Sequence, residues 1–227
     1  ADRPGAALKL HLIGAAPPPD APPSPFVEAL FDDYADSFDE KLVGALGYRV
    51  PDLLEQAIRA AAPGRRFRRA VDLGCGTGLM GQRLRPLAER LEGYDISAAM
   101  LRKARAKAVY DSLVKSDLQA LELEPGGADL VTAADVFMYV GTLEHVVAVV
   151  AAGLAGDGLF AFTVEALDGD EPYRLRETRR YAHAPHYLRG VLDAHGLRLL
   201  SLDGKVIRRD RGEDVEGLIV LATHRDE

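Results

Sequence analysis

The chain has 227 residues, 48% hydrophobic and 28% charged, long enough to bury a core and too apolar for wholesale disorder. Its 35 acidic and 28 basic side chains leave a net charge of −7, which disfavours general affinity for phosphate backbones or anionic lipid while leaving room for a local basic patch. The single cysteine, Cys75, excludes an internal disulfide and a Cys-rich zinc site and fits a reducing, cytoplasmic compartment.

The chain opens on Ala1 rather than Met, consistent with a trimmed piece of a longer protein, and shows no cationic leader with a long apolar core. Seven of its 13 prolines lie in the first 25 residues, so Pro17–Pro23 is expected to be an extended connector, preceded by a short helical stub at Ala6–Ile13. Residues 1–25 are therefore read as a linker and 26–227 as the folded domain, with 26–64 a helical lid and 65–227 the core. Ser24 suits a helix cap and Pro25 the first helical position. Phe26, Leu30 and Phe31 then recur at helical spacing, and the pattern continues intermittently to Leu46. Pro51–Ala62 reads as a second helix, stopped by Pro63-Gly64.

From Ala70 the rhythm changes to short apolar runs alternating with helical segments. Strands are predicted at Ala70–Leu73, Leu91–Tyr94, Ser112–Lys115, Asp129–Ala133 and Leu159–Val164, with helices at Leu79–Arg90, Ser97–Ala108 and Thr142–Leu154. The apolar run Val146–Leu154 is far too short to span a bilayer. A helix at Pro185–His195 and an antiparallel pair, Leu197–Leu202 with Gly217–Thr223, close the chain. This cadence predicts an α/β, Rossmann-like fold: a mostly parallel seven-stranded sheet, helices on both faces, an antiparallel C-terminal hairpin and an N-terminal helical lid.

Val71-Asp-Leu-Gly-Cys-Gly-Thr-Gly-Leu79 runs from a buried strand through a glycine-rich turn into a helix. Glycines let the backbone approach a ligand where a Cβ would collide, and the helix start offers unsatisfied N–H groups. Gly76 to Gly81 also satisfies G-x-G-x-x-G, a dinucleotide pattern that is weak alone. Asp72 beneath the turn opposes a pyrophosphate and favours a cationic ligand. Asp95, nineteen residues after Gly76, stands where a carboxylate accepts both hydroxyls of a ribose; its alternative role is to cap the next helix, for which Ser97 is the better residue. Asp117 can accept from an adenine amine while Leu118 packs on the ring, against the alternative of a solvated loop acid.

These motifs, with Gly93-Tyr-Asp-Ile-Ser97, Met100-Leu101 and Ser116-Asp-Leu118, resemble those of class I S-adenosylmethionine-dependent methyltransferases over about residues 26–223. Phe31-Asp-Asp-Tyr-Ala-Asp-Ser-Phe-Asp39, Gly47-Tyr-Arg-Val-Pro51 and Arg180-Tyr-Ala-His183 resemble the bacterial subgroup whose methyltransferase domain follows a tetratricopeptide array. That resemblance implies protein contacts through a missing N-terminal repeat region. Ala155-Gly-Asp-Gly158 departs from the family's Arg-Pro-Gly-Gly turn. The resemblance implies S-adenosylmethionine as cofactor and no metal. It sets Asp72 and the Gly74, Gly76 and Gly78 backbone by the methionine part, with Cys75, Thr77 and Leu79 of the same turn also cofactor-binding. Asp95 would lie by the ribose and Asp117 and Leu118 by the adenine, with Ile96, Ser97, Met100, Ala134, Asp135 and Tyr139 also cofactor-binding. Tyr34 and Phe38 would cover the cofactor, the alternative being plain helix packing.

The fourth strand delivers Ala134, Asp135 and Tyr139 to the sheet edge where α/β ligands bind. Asp135 and Tyr139 are candidates for positioning donor or acceptor, the alternatives being a turn cap and packing. His183 of His183-Ala-Pro-His186 is a candidate polar wall of the active site, against a role at helix entry. No Asn/Asp-Pro-Pro-aromatic turn is present, which disfavours methylation of amide-like nitrogens. Glu165–Ala182 reads as a polar specificity loop in which Arg174, Arg176, Arg179 and Arg180 either recognise an acidic substrate or form a solvated face. The expected function is methyl transfer to a small-molecule acceptor, with no nucleic acid or membrane as partner. The alternatives are an NAD-dependent oxidoreductase and a non-catalytic S-adenosylmethionine-binding module.

Overall fold

A computed structural model describes residues 24–39 and 46–225, leaving the expected stub at Ala6–Ile13, the Pro17–Pro23 connector and part of the intermittent helix before Leu46 outside the described residues. Helix α1 (Ser24–Tyr34) is followed by a 3-10 turn, Ala35–Ser37, and then by α2 (Val50–Ala61). The alternating part comprises β1 (Phe67–Leu73), α3 (Leu79–Leu84), β2 (Ala88–Asp95), α4 (Ala98–Ala106), β3 (Ser112–Lys115), β4 (Ala128–Ala133), α5 (Glu144–Gly153) and β5 (Leu154–Ala166). A small hairpin of β6 (Tyr173–Leu175) and β7 (Tyr181–His183) precedes α6 (Pro185–Ala194), β8 (Leu197–Asp210) and β9 (Glu213–His224).

The main sheet runs β3-β2-β1-β4-β5-β9-β8, parallel from β3 to β5 and antiparallel in the β5-β9-β8 part. The predicted seven strands and terminal hairpin are therefore present. The hairpin of β6 and β7 is additional, and replaces the expected irregular loop within Glu165–Ala182. It docks at the end of β5, where Glu165 pairs with Ala182 on one edge and Gly217 on the other.

Alternation along the central strands explains why they are buried on both sides. Val71, Leu73, Val131, Ala133, Phe160 and Phe162 pack with Val147 and Val150 of α5 and Leu188 and Leu192 of α6. Ala70, Leu130, Leu159 and Ala161 pack with Leu54 and Ile58 of α2 and Leu84 of α3. On this second face the strand ends turn polar: Asp72, Thr132 and Thr163 are fully buried there.

Two boundaries differ from expectation. The helix predicted to reach Arg90 stops at Leu84, and Ala88–Arg90 already belong to β2. Pro86 cannot continue the helical ladder, and the Arg85 guanidinium donates to the Ala88 and Glu89 carbonyls, both at 2.7 Å. The terminal strands are longer than predicted because the chain reverses only at Arg211-Gly212, with Asp210 opposite Glu213. Both turn residues have positive φ, 52° and 87°, a geometry that matches the twist of the flanking strands.

Candidate functional site

A cavity of about 690 Å³ opens at the carboxyl ends of β1, β2, β3 and β4. Its floor is the glycine turn: Gly74, Cys75, Gly76, Thr77 and Leu79 line it. Gly74 has φ 62°, and a Cβ there would stand 2.4 Å from Val136 Cγ2, so the turn and the strand β4 exit approach too closely for a side chain. A Cβ on Gly76 would instead find nothing nearer than the Gly74 carbonyl oxygen at 4.0 Å, because the space above it is cavity.

The other two glycines of the overlapping pattern serve a different purpose. A Cβ on Gly81 would strike the Tyr110 hydroxyl at 2.2 Å, and one on Gly78 would press the same ring at 3.1 Å. The glycines therefore form a slot for Tyr110, whose hydroxyl donates to Asp72 Oδ2 at 2.7 Å while Thr132 donates to Oδ1 at 2.9 Å. Thr132 is the register partner of Asp72 on β4, which places it there. Asp72 lies beneath the turn and does not line the cavity; burial outweighs its two donors and pushes its carboxyl up to about 7. Gly78 does not line the cavity either.

Asp95, at the end of β2, does line it. Its Oδ2 accepts from the Gly76 backbone N–H at 2.8 Å and its Oδ1 from that of Ser97 at 2.8 Å, tying β2 to the glycine turn. Burial still raises it to about 6. Ile96 and Met100 are on the wall, whereas Ser97 is not: its Oγ accepts from Met100 N–H at 3.1 Å as the cap of α4. Burial also pushes the Cys75 thiol well up, so it is no ready nucleophile. Asp117 and Leu118 line the far end, and Asp117 accepts from the Ser24 hydroxyl and, at 2.9 Å, from Gln119 N–H.

Helix α1 roofs this half. Tyr34 and Phe38 are on the wall, and Phe31 packs edge-on against Tyr139 with ring centroids 5.1 Å apart. Acidic residues of this segment hold the roof to the core. Glu28 pairs with Lys115 at 2.6 Å, Asp32 accepts from Ser97 Oγ at 2.5 Å, and Asp39 pairs with Lys107 at 2.6 Å while accepting from Thr77.

The opposite half is set by β4, β8 and the turn between β6 and β7. Ala134, Asp135 and Tyr139 line it, as predicted residues, together with Tyr48, Met138 and Arg208. Asp135 has φ 58°, and its N–H donates to Thr163 Oγ1 at 2.9 Å. Its carboxylate is gripped by Arg208 Nη1 at 2.7 and 2.9 Å. Arg208 Nη2 reaches Glu165, which also pairs with Arg176 at 3.1 Å. The Arg208 side chain is 1% exposed, so this network is built into the wall. Burial raises the Tyr139 and Tyr48 phenols and keeps both protonated.

His183 is a correction. It does not line the cavity: it is fully buried, stacks on Tyr187 at 5.9 Å, and its Nε2 meets the Gly141 carbonyl oxygen at 2.9 Å. Burial lowers it to about 4, so it is neutral packing behind the site. Arg174 pairs with Glu171 away from the cavity, whereas Glu177, Arg179 and Arg180 line it. Sequence reasoning passed over Arg208, Asp210 and Arg211, because Arg208–Gly212 reads locally as nothing more than a polar hairpin turn.

Residues 71–162 match the family model described as a methyltransferase domain. Over those residues the chain is similar to methyltransferase domains. It is 33% identical over 147 residues to a malonyl-[acyl-carrier protein] O-methyltransferase of Enterobacter lignolyticus, covering 63% of this chain and 59% of that protein. It is 33% identical over 131 residues to a trans-aconitate 2-methyltransferase of Paracidovorax citrulli, covering 56% and 50%. The chain thus spans about half to three-fifths of these relatives' length. Among solved structures, the [4+2]-cyclase SpnF superposes with a TM-score of 0.74 at 17% identity, covering 92% of this chain and 98% of that one. The Burkholderia thailandensis 1,6-didemethyltoxoflavin-N1-methyltransferase, with S-adenosylhomocysteine bound, gives 0.69 at 19%, covering 93% and 94%. Both share the fold of this chain. Among the described residues, no helix is long and apolar enough to cross a membrane.

Proposed function

We propose that the chain transfers a methyl group from S-adenosylmethionine to a small-molecule acceptor. The observation that carries this reading is the pairing of a cradle free of side chains above Gly76 with the Asp95 carboxylate on the same cavity wall. When bound, the cofactor supplies a methyl carbon carried on a positively charged sulfur. The backbone above Gly76 is open for its close approach, Asp95 retains lone pairs for the ribose hydroxyls, and Asp117 and Leu118, on the same cavity, would take the adenine. The aromatic roof of Tyr34 and Phe38 suits a cation.

The acceptor half holds its groups still. Asp135 is locked by Arg208 and shapes the wall rather than taking a proton. This arrangement suits an acceptor atom that is already unprotonated at neutral pH and needs no base. The two curated relatives are named for small acidic acceptors or their carrier-bound forms, which supports the small-molecule reading. Membership of the subgroup that follows a tetratricopeptide array, with protein contacts through those repeats, belongs to the same proposal and rests on the Phe31–Asp39 and Arg180–His183 stretches.

A fold neighbour named as a cyclase makes cofactor binding and methyl transfer separate claims, so the test measures both. Calorimetry is expected to show S-adenosylhomocysteine binding and no NAD binding. Asp95→Ala is expected to weaken that binding by about 1–3 kcal/mol, as for a buried acceptor lost from its donors. Labelled donor incubated with pooled metabolites is expected to yield a labelled small molecule. Tight NAD binding alone would overturn the cofactor reading, and donor binding with no label transferred would leave a binding module.

A further inference from the structure

Two hairpin turns meet at the cavity mouth. The loop 177–179 joins β6 to β7, with Arg179 N–H donating to the Arg176 carbonyl at 2.8 Å and Arg176 N–H to that of Arg180 at 2.9 Å. Arg211-Gly212 joins β8 to β9. The Arg180 guanidinium donates to Asp210 at 2.8 Å and pins one tip to the other.

Each turn holds an arginine in the left-handed region, Arg179 at φ 62° and Arg211 at φ 52°. The last residue of a three-residue hairpin loop and the first of a two-residue one are positions that turn chemistry gives to Gly, Asn or Asp, because a longer side chain is strained there. Local folding therefore does not ask for arginine at either place. Both residues line the cavity and are exposed, and among the described residues neither guanidinium has a partner. The neighbouring charges are committed: Arg180 to Asp210, and Arg208 to Asp135 and Glu165. Among the described residues, only the exposed Glu177 stands on this wall as an uncommitted carboxylate, so two free cations face one free anion there.

We propose that Arg179 and Arg211 recognise the oxyanion group, carboxylate or phosphate, of a small methyl acceptor. The proposal rests on the methyl-transfer reading of this cavity. A guanidinium presents a rigid fork of donors that matches both groups, and two of them from separate turns converge on one opening. An acceptor whose recognised end is an ammonium group meets repulsion at the same place.

The test uses the whole chain loaded with S-adenosylhomocysteine, whose own binding is measured first. Small mono-, di- and tricarboxylic acids, phosphate monoesters, and the matched neutral amides and alcohols are screened by thermal shift, and hits are titrated by calorimetry. Anions of one or both classes are expected to bind, and the class that binds tells carboxylate from phosphate. Arg179→Asn with Arg211→Asn keeps residues that tolerate the left-handed backbone while removing both charges. This double variant is expected to weaken anion binding by about tenfold or more, the loss of charge-assisted hydrogen bonds, with S-adenosylhomocysteine affinity within about twofold. Arg174→Asn, outside the cavity, is expected to leave both unchanged. The proposal is overturned if no anion binds the loaded protein, if hits are confined to neutral or cationic compounds, or if the double variant binds anions like the parent. Failure of S-adenosylhomocysteine to bind is a different result: it defeats the cofactor reading itself, and this proposal with it.

Discussion

The cavity wall made by β1 and β2 concentrates its carboxylates under and beside a bare backbone turn, whereas the wall made by the two hairpin tips concentrates guanidiniums. Around the first wall the acids are held by neutral donors: Asp72, beneath the turn and behind the wall, by two hydroxyls and Asp95, on the wall, by two backbone N–H groups, with burial raising both. On the second, acids and bases neutralise each other in a buried network around Arg208, and two arginines are left over at the rim. The first wall is built from segments that adjoin in sequence, residues 72–79 and 95–100. The second joins residues 135–139, 176–180 and 208–211. The first therefore has a readable local signature and the second none.

The sharpest way to break this contrast is to remove the base from the buried network. Arg208→Met leaves Asp135 and Glu165 buried without their shared cation, and is expected to cost about 3–5 kcal/mol in chemical denaturation. A triple replacement that also makes both acids neutral and apolar is expected to recover most of the loss, since the penalty lies in the orphaned charges. If Arg208→Met alone costs under about 1 kcal/mol, the typical scale of an exposed pair, the network is not buried as described.

The first wall is probed by pH. Asp72 titrates near 7 in the folded chain against an ordinary value of 3.8, so between these pH values the folded state holds a proton that the unfolded state has released. Stability without cofactor is therefore expected to fall as pH rises from about 4 to about 7 and to level off above, with Asp95 contributing in the same direction up to about 6. Asp72→Asn is expected to flatten the fall and raise the denaturation midpoint at pH 8. An unchanged slope in that variant would assign the titration to other groups.

Gly74→Ala tests the close approach on which the cradle depends. The new Cβ meets Val136 at 2.4 Å with φ at 62°, and a loss of about 1–3 kcal/mol is expected. Adding Val136→Ala removes the collision and leaves the backbone strain, so partial recovery is the expected result. Full recovery would mean that the left-handed backbone carries no cost there.

The same contrast explains what was legible in the sequence. The central strands and their helices were readable because apolar runs and glycine punctuation are local, and Asp95 because its spacing from Gly76 follows from one strand-helix-strand unit. His183 misled because its motif sits beside a helix start, while β7 delivers the ring into the core. Gly81 completes a dinucleotide pattern, weak alone, while its place in the structure is a packing slot for Tyr110. Arg208 was invisible because its partners lie 43 and 73 residues away, brought together only by the β5-β9-β8 pairing. The hairpin of β6 and β7 was missed because two three-residue strands flanked by charge carry no alternation long enough to detect.

The smallest expected effect sharpens the comparison where the roof meets the first wall. Ser24, at the start of α1, donates its hydroxyl to Asp117 Oδ2, and Gln119 N–H donates to Oδ1, so each oxygen of the proposed adenine acceptor already accepts one hydrogen bond. Each oxygen retains a lone pair, as in Asp95, and an adenine amine bound at Oδ2 shares that oxygen with the Ser24 hydroxyl. Ser24→Ala frees that oxygen, and calorimetry with S-adenosylhomocysteine is expected to show affinity tighter by less than about 1 kcal/mol, the net value of one hydrogen bond exchanged for another. Because α1 loses one of its ties to the core, the dissociation rate is expected to rise even as affinity improves, which requires association to rise more. A weaker affinity in Ser24→Ala would mean that the hydroxyl serves the bound state, and that Asp117 meets the adenine through Ser24 rather than in competition with it.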